Sequence, residues 1–361
     1  MRQRFSNGDY PRDYEDARKR FLAACSVNDI VTDRIVHPLA GPNGETLSTD
    51  VAWLGSATAR HLVIVISGTH GPEGLMGSAC QTRIASALAA KGLVDAAVLL
   101  VHLINPWGTA WRRRQTENNV DLNRNFRQFE NSLPENPNYD ALRAAIHEPD
   151  YALAGEAIDA FRAERGARAF ASALFQGQYV DAAGIGYGGD QPTWSNRTLR
   201  AILDEYARHS ESVVIIDLHS GIGPYGHATL LHMGAMPEAR AARLRSLLGP
   251  GVIMFDDDSP HMPYPLSGDL CRGAAQQLKA RSVIPLLAEF GTYEEEVLLA
   301  LQVEDCRLQE FGGVAEDVRR RLQDFFYPDD DDWKDLVCLR SLQIVRRMLY
   351  MRQRELGVDV G

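Results

Sequence analysis

Four stretches of the chain are apolar with little interruption, residues 62–66, 97–104, 213–218 and 283–288. Short runs that do not alternate with polar residues are what strands covered on both faces produce. Residues 75–91 carry the longer pattern of a helix, and a helix between 62–66 and 97–104 makes a βαβ unit, hence a mostly parallel sheet. Residues 13–24, 151–171 and 196–209 also read as helices. Residues 33–38 and 45–54 read as strands around a Gly41-Pro42-Asn43-Gly44 turn. Residues 229–232 and 252–255 are further strands. From Tyr293 onward the pattern is helical, broken at Pro328 and the aspartates 329–332, which read as a solvated loop and helix start. The expected fold is α/β: one domain over 1–361, a mixed, mostly parallel sheet flanked by helices. A helical insertion is expected at about 130–210 and a helical C-terminal region at about 294–361.

Composition narrows the partners. The 361 residues carry a net charge of −10, against the basic balance of a nucleic-acid-binding surface. No apolar stretch approaches the roughly 20 residues that span a bilayer, and residues 1–10 lack the apolar core of a secretory signal. Five cysteines without a pairing pattern suit reduced thiols, so a cytoplasmic protein with no membrane or nucleic-acid partner is expected.

The chemistry sits where apolar runs end. After 62–66 come Ser67-Gly68-Thr69-His70-Gly71-Pro72-Glu73-Gly74; after 213–218 comes His219; after 283–288 comes Glu289. His-x-x-Glu alone is common by chance. Three strands delivering two His and two Glu to their ends is not, because a packed core has no use for them and an unpaired buried carboxylate is costly. In open α/β sheets ligands bind at the carboxyl ends of strands. His70 and Glu73 can converge on one cation, and His219 would complete the three protein ligands of a catalytic Zn²⁺. Asp217 could support His219 or simply end its strand. A fourth cluster runs from Asn105-Pro106-Trp107-Gly108 through Arg112-Arg113-Arg114 to Asp121-Leu122-Asn123-Arg124-Asn125-Phe126. Its arginines suit bidentate carboxylate recognition, or simply a solvated basic loop.

In order and combination these motifs, spread over residues 67–293, resemble the zinc carboxypeptidase (M14-like) superfamily, and more narrowly its DUF2817 branch. The resemblance implies roles for matching positions. His70, Glu73 and His219 would hold one Zn²⁺ per chain, and Co²⁺ or Ni²⁺ would also suit the donors. Asp121 would orient a zinc-bound His from behind. Glu289, in Glu289-Phe290-Gly291-Thr292-Tyr293, would be the general base. Asn123 and Arg124 would hold a substrate carboxylate, and one of Arg112, Arg113 and Arg114 would polarise the scissile carbonyl. Tyr264, in Tyr264-Pro265-Leu266-Ser267-Gly268, would contact the substrate terminus, and Arg272 beyond it would favour an acidic substrate.

Three functions are compatible with this pattern: a zinc carboxypeptidase acting on small peptides, an N-acyl-amino-acid deacylase similar to aspartoacylase and succinylglutamate desuccinylase, and a non-catalytic metal-binding protein. Glu289 argues against the last, since binding alone needs no general base. The 130–210 block would either wall off the pocket or only pack.

Overall fold

The computed structural model describes residues 10–88, 93, 95–255, 266–279 and 281–355. Eight strands form one sheet: β1 (Val31–Ala40), β2 (Thr46–Gly55), β3 (His61–Ile66), β4 (Ala96–His102), β5 (Ser212–Gly221), β6 (Ala228–Met233), β7 (Ile253–Phe255) and β8 (Ser282–Gly291). Their spatial order is β1-β2-β4-β3-β5-β8-β6-β7. The central strands β4, β3, β5 and β8 run parallel, β1, β2 and β6 join antiparallel to their inner neighbours, and β7 is parallel to β6. The sheet is therefore mixed and mostly parallel, as the sequence predicts.

The described helices are α1 (Tyr14–Val27), α2 (Gly74–Leu88), α3 (Pro106–Trp111), α4 (Pro137–Ile146), α5 (Tyr151–Phe175), α6 (Trp194–Tyr206), α7 (Glu238–Leu248), α8 (Leu270–Gln277), α9 (Glu295–Phe311), α10 (Ala315–Phe326) and α11 (Asp331–Glu355). The central strands are apolar throughout because the sheet is covered on both sides. Val63, Val65, Val98, Leu100, Val214 and Ile216 pack under α1, α2 and α11. The alternating set, with Ile64, Leu99 and Ile215, packs under α6 and α8. Each such fully buried side chain contributes about 1.5–3 kcal/mol.

A third core lies beside the sheet, where Tyr139 and Leu142 of α4 and Phe161 and Phe170 of α5 pack with α9 and α10 through Leu298, Leu301 and Phe325. The acidic run starts α11, and Asp330 accepts from the backbone N–H of Asp332 and Trp333. All five cysteines are buried and unbridged. No helix among the described residues is long and apolar enough to cross a membrane.

Candidate active site

β3 ends against a reversal that needs glycine. Gly68 has φ +70°, the left-handed region that L side chains rarely adopt. His70 is then extended (φ −105°, ψ 136°) and precedes a single 3₁₀ turn, Gly71–Glu73, which runs into α2. The turn lies hard against the 105–114 segment: a Cβ on Gly71 would sit 2.1 Å from the Gly108 carbonyl and 2.2 Å from that of Arg113. Close backbone contact thus fixes where His70 and Glu73 project.

β5 supplies the second imidazole. Residues two apart on a strand share a face, so Asp217 and His219 point the same way, and His219 Nε2 lies 2.7 Å from Asp217 Oδ2. Thr69 donates to the other Asp217 oxygen at 2.8 Å. His70 is held likewise, its Nε2 3.0 Å from Asp121 Oδ1. An ionised carboxylate only accepts, so each Nε2 carries a proton and each Nδ1 faces inward. The His70 Nδ1 lies 2.8 Å from Glu73 Oε1 and the His219 Nδ1 2.9 Å from Glu73 Oε2. One donor atom from each of the three residues falls within 4.8 Å of the others. Two imidazoles and a carboxylate, backed by two further carboxylates, fit a tetrahedral zinc site with one position left over. The sequence left Asp217 between two readings; here it holds the His219 ring.

The register of β5 against β8 sets Glu289 directly beside His219. Glu289 Oε1 accepts from the Ile222 N–H at 3.0 Å. Burial, and then the charge of Glu73, push its carboxyl above the usual range. Glu73 goes the opposite way: burial alone would raise it, but the charges of His70 and His219 outweigh burial and hold it low. For Asp121, too, burial raises and His70 and Arg114 lower, with a net shift well below the usual value. For His219 burial is outweighed by Asp217 and Glu73, which raise it well above the usual value. Two neighbouring carboxyls driven apart in proton affinity are suited to different tasks.

The arginine run separates in space. Arg112 takes a left-handed conformation (φ 52°) that ends α3, so consecutive side chains diverge. Arg112 leaves for the surface and pairs with Glu316 at 2.6 Å. Arg113 turns inward, 3.3 Å from Asp305 of α9, and donates to Asn119 at 3.0 Å. Arg114 alone reaches the cluster, 3.4 Å from Glu73 Oε1 and 3.6 Å from Asp121 Oδ2. The structure thus brings neither Arg112 nor Arg113 to the site, because each is committed to a helix of the C-terminal region.

Asn123 and Arg124 form a 3₁₀ turn with Leu122, capped by Asp121. The Asn123 Oδ1 accepts from the Leu270 N–H at 2.9 Å, and its Nδ2 has no partner among the described residues. Arg124 is tied to carbonyls. Its Nε donates to Phe175 and Gln176, both at 3.1 Å, its Nη1 to Asn123 at 2.7 Å, and its Nη2 to Phe175. One N–H on each terminal nitrogen is left over, the pair that a bidentate carboxylate would use. Tyr264 lies outside the described residues. Arg272 donates to the Phe255 carbonyl at 2.7 Å and is not among the described residues that line the cavity.

These groups open into a cavity of about 350 Å³. His70, Glu73, Arg114, His219 and Glu289 line it together with Asn123 and Arg124, and Thr229, Leu231 and Met233 of β6 and Leu287 of β8 add a mainly apolar lining. Antiparallel pairing places Thr229 opposite Glu289 and Leu231 opposite Leu287, so strand alternation builds that lining. Sequence reasoning missed it, and missed Asp269, which also lines the cavity. It also missed Phe175 at the end of α5. Period-2 spacing along 229–233 was the available signal for the lining.

The fold is that of carboxypeptidase-like structures. A crystal structure described as a putative carboxypeptidase A, from Shewanella denitrificans OS-217, superposes with a TM-score of 0.50 at 12% identity, over 94% of this chain and 70% of that one. Thrombin-activatable fibrinolysis inhibitor gives 0.49 at 11% identity over 96% and 77%. A putative metallopeptidase from Shewanella amazonensis SB2B gives 0.44 at 13% over 83% and 92%. No curated protein sequence matches. The model of the DUF2817 family, described as a protein of unknown function, matches residues 10–340, and the chain belongs to that family.

Proposed function

We propose that the chain is a zinc-dependent hydrolase that cleaves an amide bond next to a free carboxylate. The observation that carries this is the convergence of the His70, Glu73 and His219 donor atoms within 4.8 Å at a cavity that Glu289 and Asn123 also line. Bound zinc supplies a Lewis acid and lowers the pKa of water to about 7. Glu289 takes the proton of the attacking water and returns it to the leaving amine, the work of a positioned general acid–base. Glu73 cannot do both tasks, because its two oxygens are already shared between His70 and His219. Arg114 faces the charge that develops on the scissile carbonyl oxygen. Asn123 Nδ2 and the two spare N–H groups of Arg124 hold the substrate carboxylate, which fixes cleavage one bond in from that end. We read the segment at about 130–210 as an insertion in a single catalytic domain. Phe175 from it lines the cavity, and its carbonyls hold the Arg124 guanidinium, so it shapes the pocket as well as packing.

Two measurements test the reading. Plasma mass spectrometry should find about one zinc per chain after dialysis; a chain that keeps none after zinc is added back would sink the metal assignment. The zinc-loaded protein is then given a panel of dipeptides and N-acyl amino acids. Cleavage of the dipeptides supports a small-peptide carboxypeptidase, cleavage of N-acyl amino acids alone supports a deacylase, and cleavage of neither removes the hydrolase reading. Arg114→Ala should lower kcat roughly 10²–10³-fold, as loss of one oxyanion donor does. Arg112→Ala, whose partner is an exposed Glu316, should stay close to wild type. Equal losses in the two variants would refute the assignment to Arg114.

A further inference from the structure

Arg124 is gripped by one short segment, and that segment is tied down at one imidazole. Residues 175–181 wrap around Arg124. The Phe175 and Gln176 carbonyls accept from its guanidinium. Gly177 passes so close that a Cβ there would lie 2.7 Å from the Arg124 Cδ, and the Tyr179 hydroxyl donates to the Arg124 carbonyl at 2.7 Å. Asp181 anchors the far end. Gln178 Nε2 donates to the Asp181 carbonyl at 2.6 Å, and Gln178 Oε1 accepts from the Asp181 N–H at 2.8 Å. The Asp181 Oδ2 gathers three donors from α4 and its C-cap: the Tyr139 hydroxyl at 2.6 Å, His147 Nε2 at 2.6 Å and Arg143 Nε at 3.3 Å.

His147 meets a carboxylate at each ring nitrogen, since its Nδ1 faces Glu310 of α9. An ionised carboxylate only accepts. A neutral imidazole has one N–H and satisfies one of the two, turning a lone pair on the other; the imidazolium satisfies both. Burial lowers the His147 pKa, but the hydrogen bonds to Asp181 and Glu310 outweigh it and leave the pKa above its usual value. The other groups nearby hold their charge state near neutral pH. Arg143 and Arg307 keep their guanidinium charge, and Arg307 is spent on the carbonyls of Ile146, Glu148 and Pro149. The Cys306 thiol of α9 is pushed up to about 12, by burial and then by the charge of Glu310. Asp181 is raised by burial but lowered more by Tyr139 and His147, and stays ionised.

We infer that His147 is a positioning residue for the substrate carboxylate: its doubly protonated ring ties α4, α9 and residues 175–181 together and so aims Arg124, and loss of one proton loosens that aim. This deepens the hydrolase reading above and rests on it for the role of Arg124. The tie is complete below the ordinary imidazole value of about 6.5. It is lost as pH rises through the higher value of the folded protein. One carboxylate then faces a lone pair, and the carbonyls that hold the guanidinium are free to shift. His70, Glu73 and His219 make none of these contacts, so the change falls on substrate binding and not on the metal.

The test uses the zinc-loaded full chain, with N-benzoylglycyl-phenylalanine as the carboxylate-bearing probe, from about pH 6 to about pH 9, the range in which a histidine changes charge. His147→Lys keeps a cation with three donors throughout that range, and His147→Gln stays neutral. Titrations elsewhere in the site are common to all three proteins, so each reading is taken relative to His147→Lys. The wild-type KM ratio should rise about tenfold across the range, as loss of a hydrogen bond to a charged group does, while the kcat ratio stays level. The His147→Gln ratio should be raised at every pH, without drift. The wild-type melting temperature, relative to His147→Lys, should fall over the same range. A level wild-type KM ratio overturns the inference and leaves the hydrolase reading intact; if the melting difference still drifts, His147 is a structural tie only. If the peptide is bound but not cleaved, its dissociation constant takes the place of KM. The same drift then keeps the inference while the hydrolase reading falls.

Discussion

Glu289→Gln, loaded with zinc, should keep its metal and lose roughly 10²–10⁴-fold in kcat, the contribution of a positioned general base. The substitution is nearly isosteric. Its Oε1 can still accept from the Ile222 N–H, as Glu289 does at 3.0 Å, so the strand end needs no rearrangement. What is lost is the ability to bind a proton. Glu289 is suited to that task because burial, reinforced by the neighbouring Glu73 charge, raises its proton affinity, while His70 and His219 lower that of Glu73. A base must also give its proton up again, and a carboxyl raised towards neutrality does both more readily than one held at its usual value. Substrate KM should change little, since Glu289 contributes no hydrogen bond to the Asn123 and Arg124 clamp. Metal analysis beside steady-state kinetics decides the matter. Full zinc with full activity would mean that another group moves the proton, whereas zinc lost along with activity would make Glu289 a ligand.

The parts of this site that were legible in the sequence are those written into strand ends. The central strands bury both faces, so their apolar runs stand out, and the polar residues that follow each run fall at the carboxyl edge of the sheet. That logic places His70, His219 and Glu289 together without any knowledge of strand order. Boundaries were less legible. The run at 97–104 ends as a strand at His102, because Leu103 adopts φ 56° and Asn105 then caps α3. Helices α3, α7 and α8 were not anticipated, and α4 only as part of the expected helical insertion; α7, for example, is short and buries only Ala241, Leu244 and Leu248, which leaves little apolar pattern.

The arginine run was illegible for a geometric reason. Three identical side chains in sequence have identical chemistry, and only the left-handed turn at Arg112 sends one to the surface, one to Asp305 and one to Glu73. Asp269 was hidden differently. An Asp after Gly, opening a helix, reads as a cap, and its Oδ1 is one. That it shares a cavity with Leu231 and Leu287 depends on β6 and β8 being neighbours, a pairing between segments more than fifty residues apart.

His219→Ala should abolish zinc binding, and with it all hydrolysis. Three protein ligands are the minimum for a catalytic zinc that keeps a place for water, and with His219 gone only His70 and Glu73 remain. The consequences reach the metal-free protein as well. His219 is one of two imidazoles that hold the buried Glu73 carboxylate in its ionised form, and Asp217 behind it would lose its 2.7 Å partner, keeping only Thr69. Breaking a buried charge pair from one side costs on the order of 3–5 kcal/mol, so the variant should melt earlier even without metal. The two effects separate by titration. A ligand that binds only the folded state raises stability as its concentration exceeds its dissociation constant. Wild type should therefore gain melting temperature on zinc addition, while His219→Ala, starting lower, should gain nothing. Asp217→Asn should fall between them, with zinc affinity weaker by about 10–100-fold, as for other residues that orient a ligating His. A zinc-dependent rise in His219→Ala equal to that of wild type would remove His219 from the metal site and leave Asp217 holding a ring with no catalytic part.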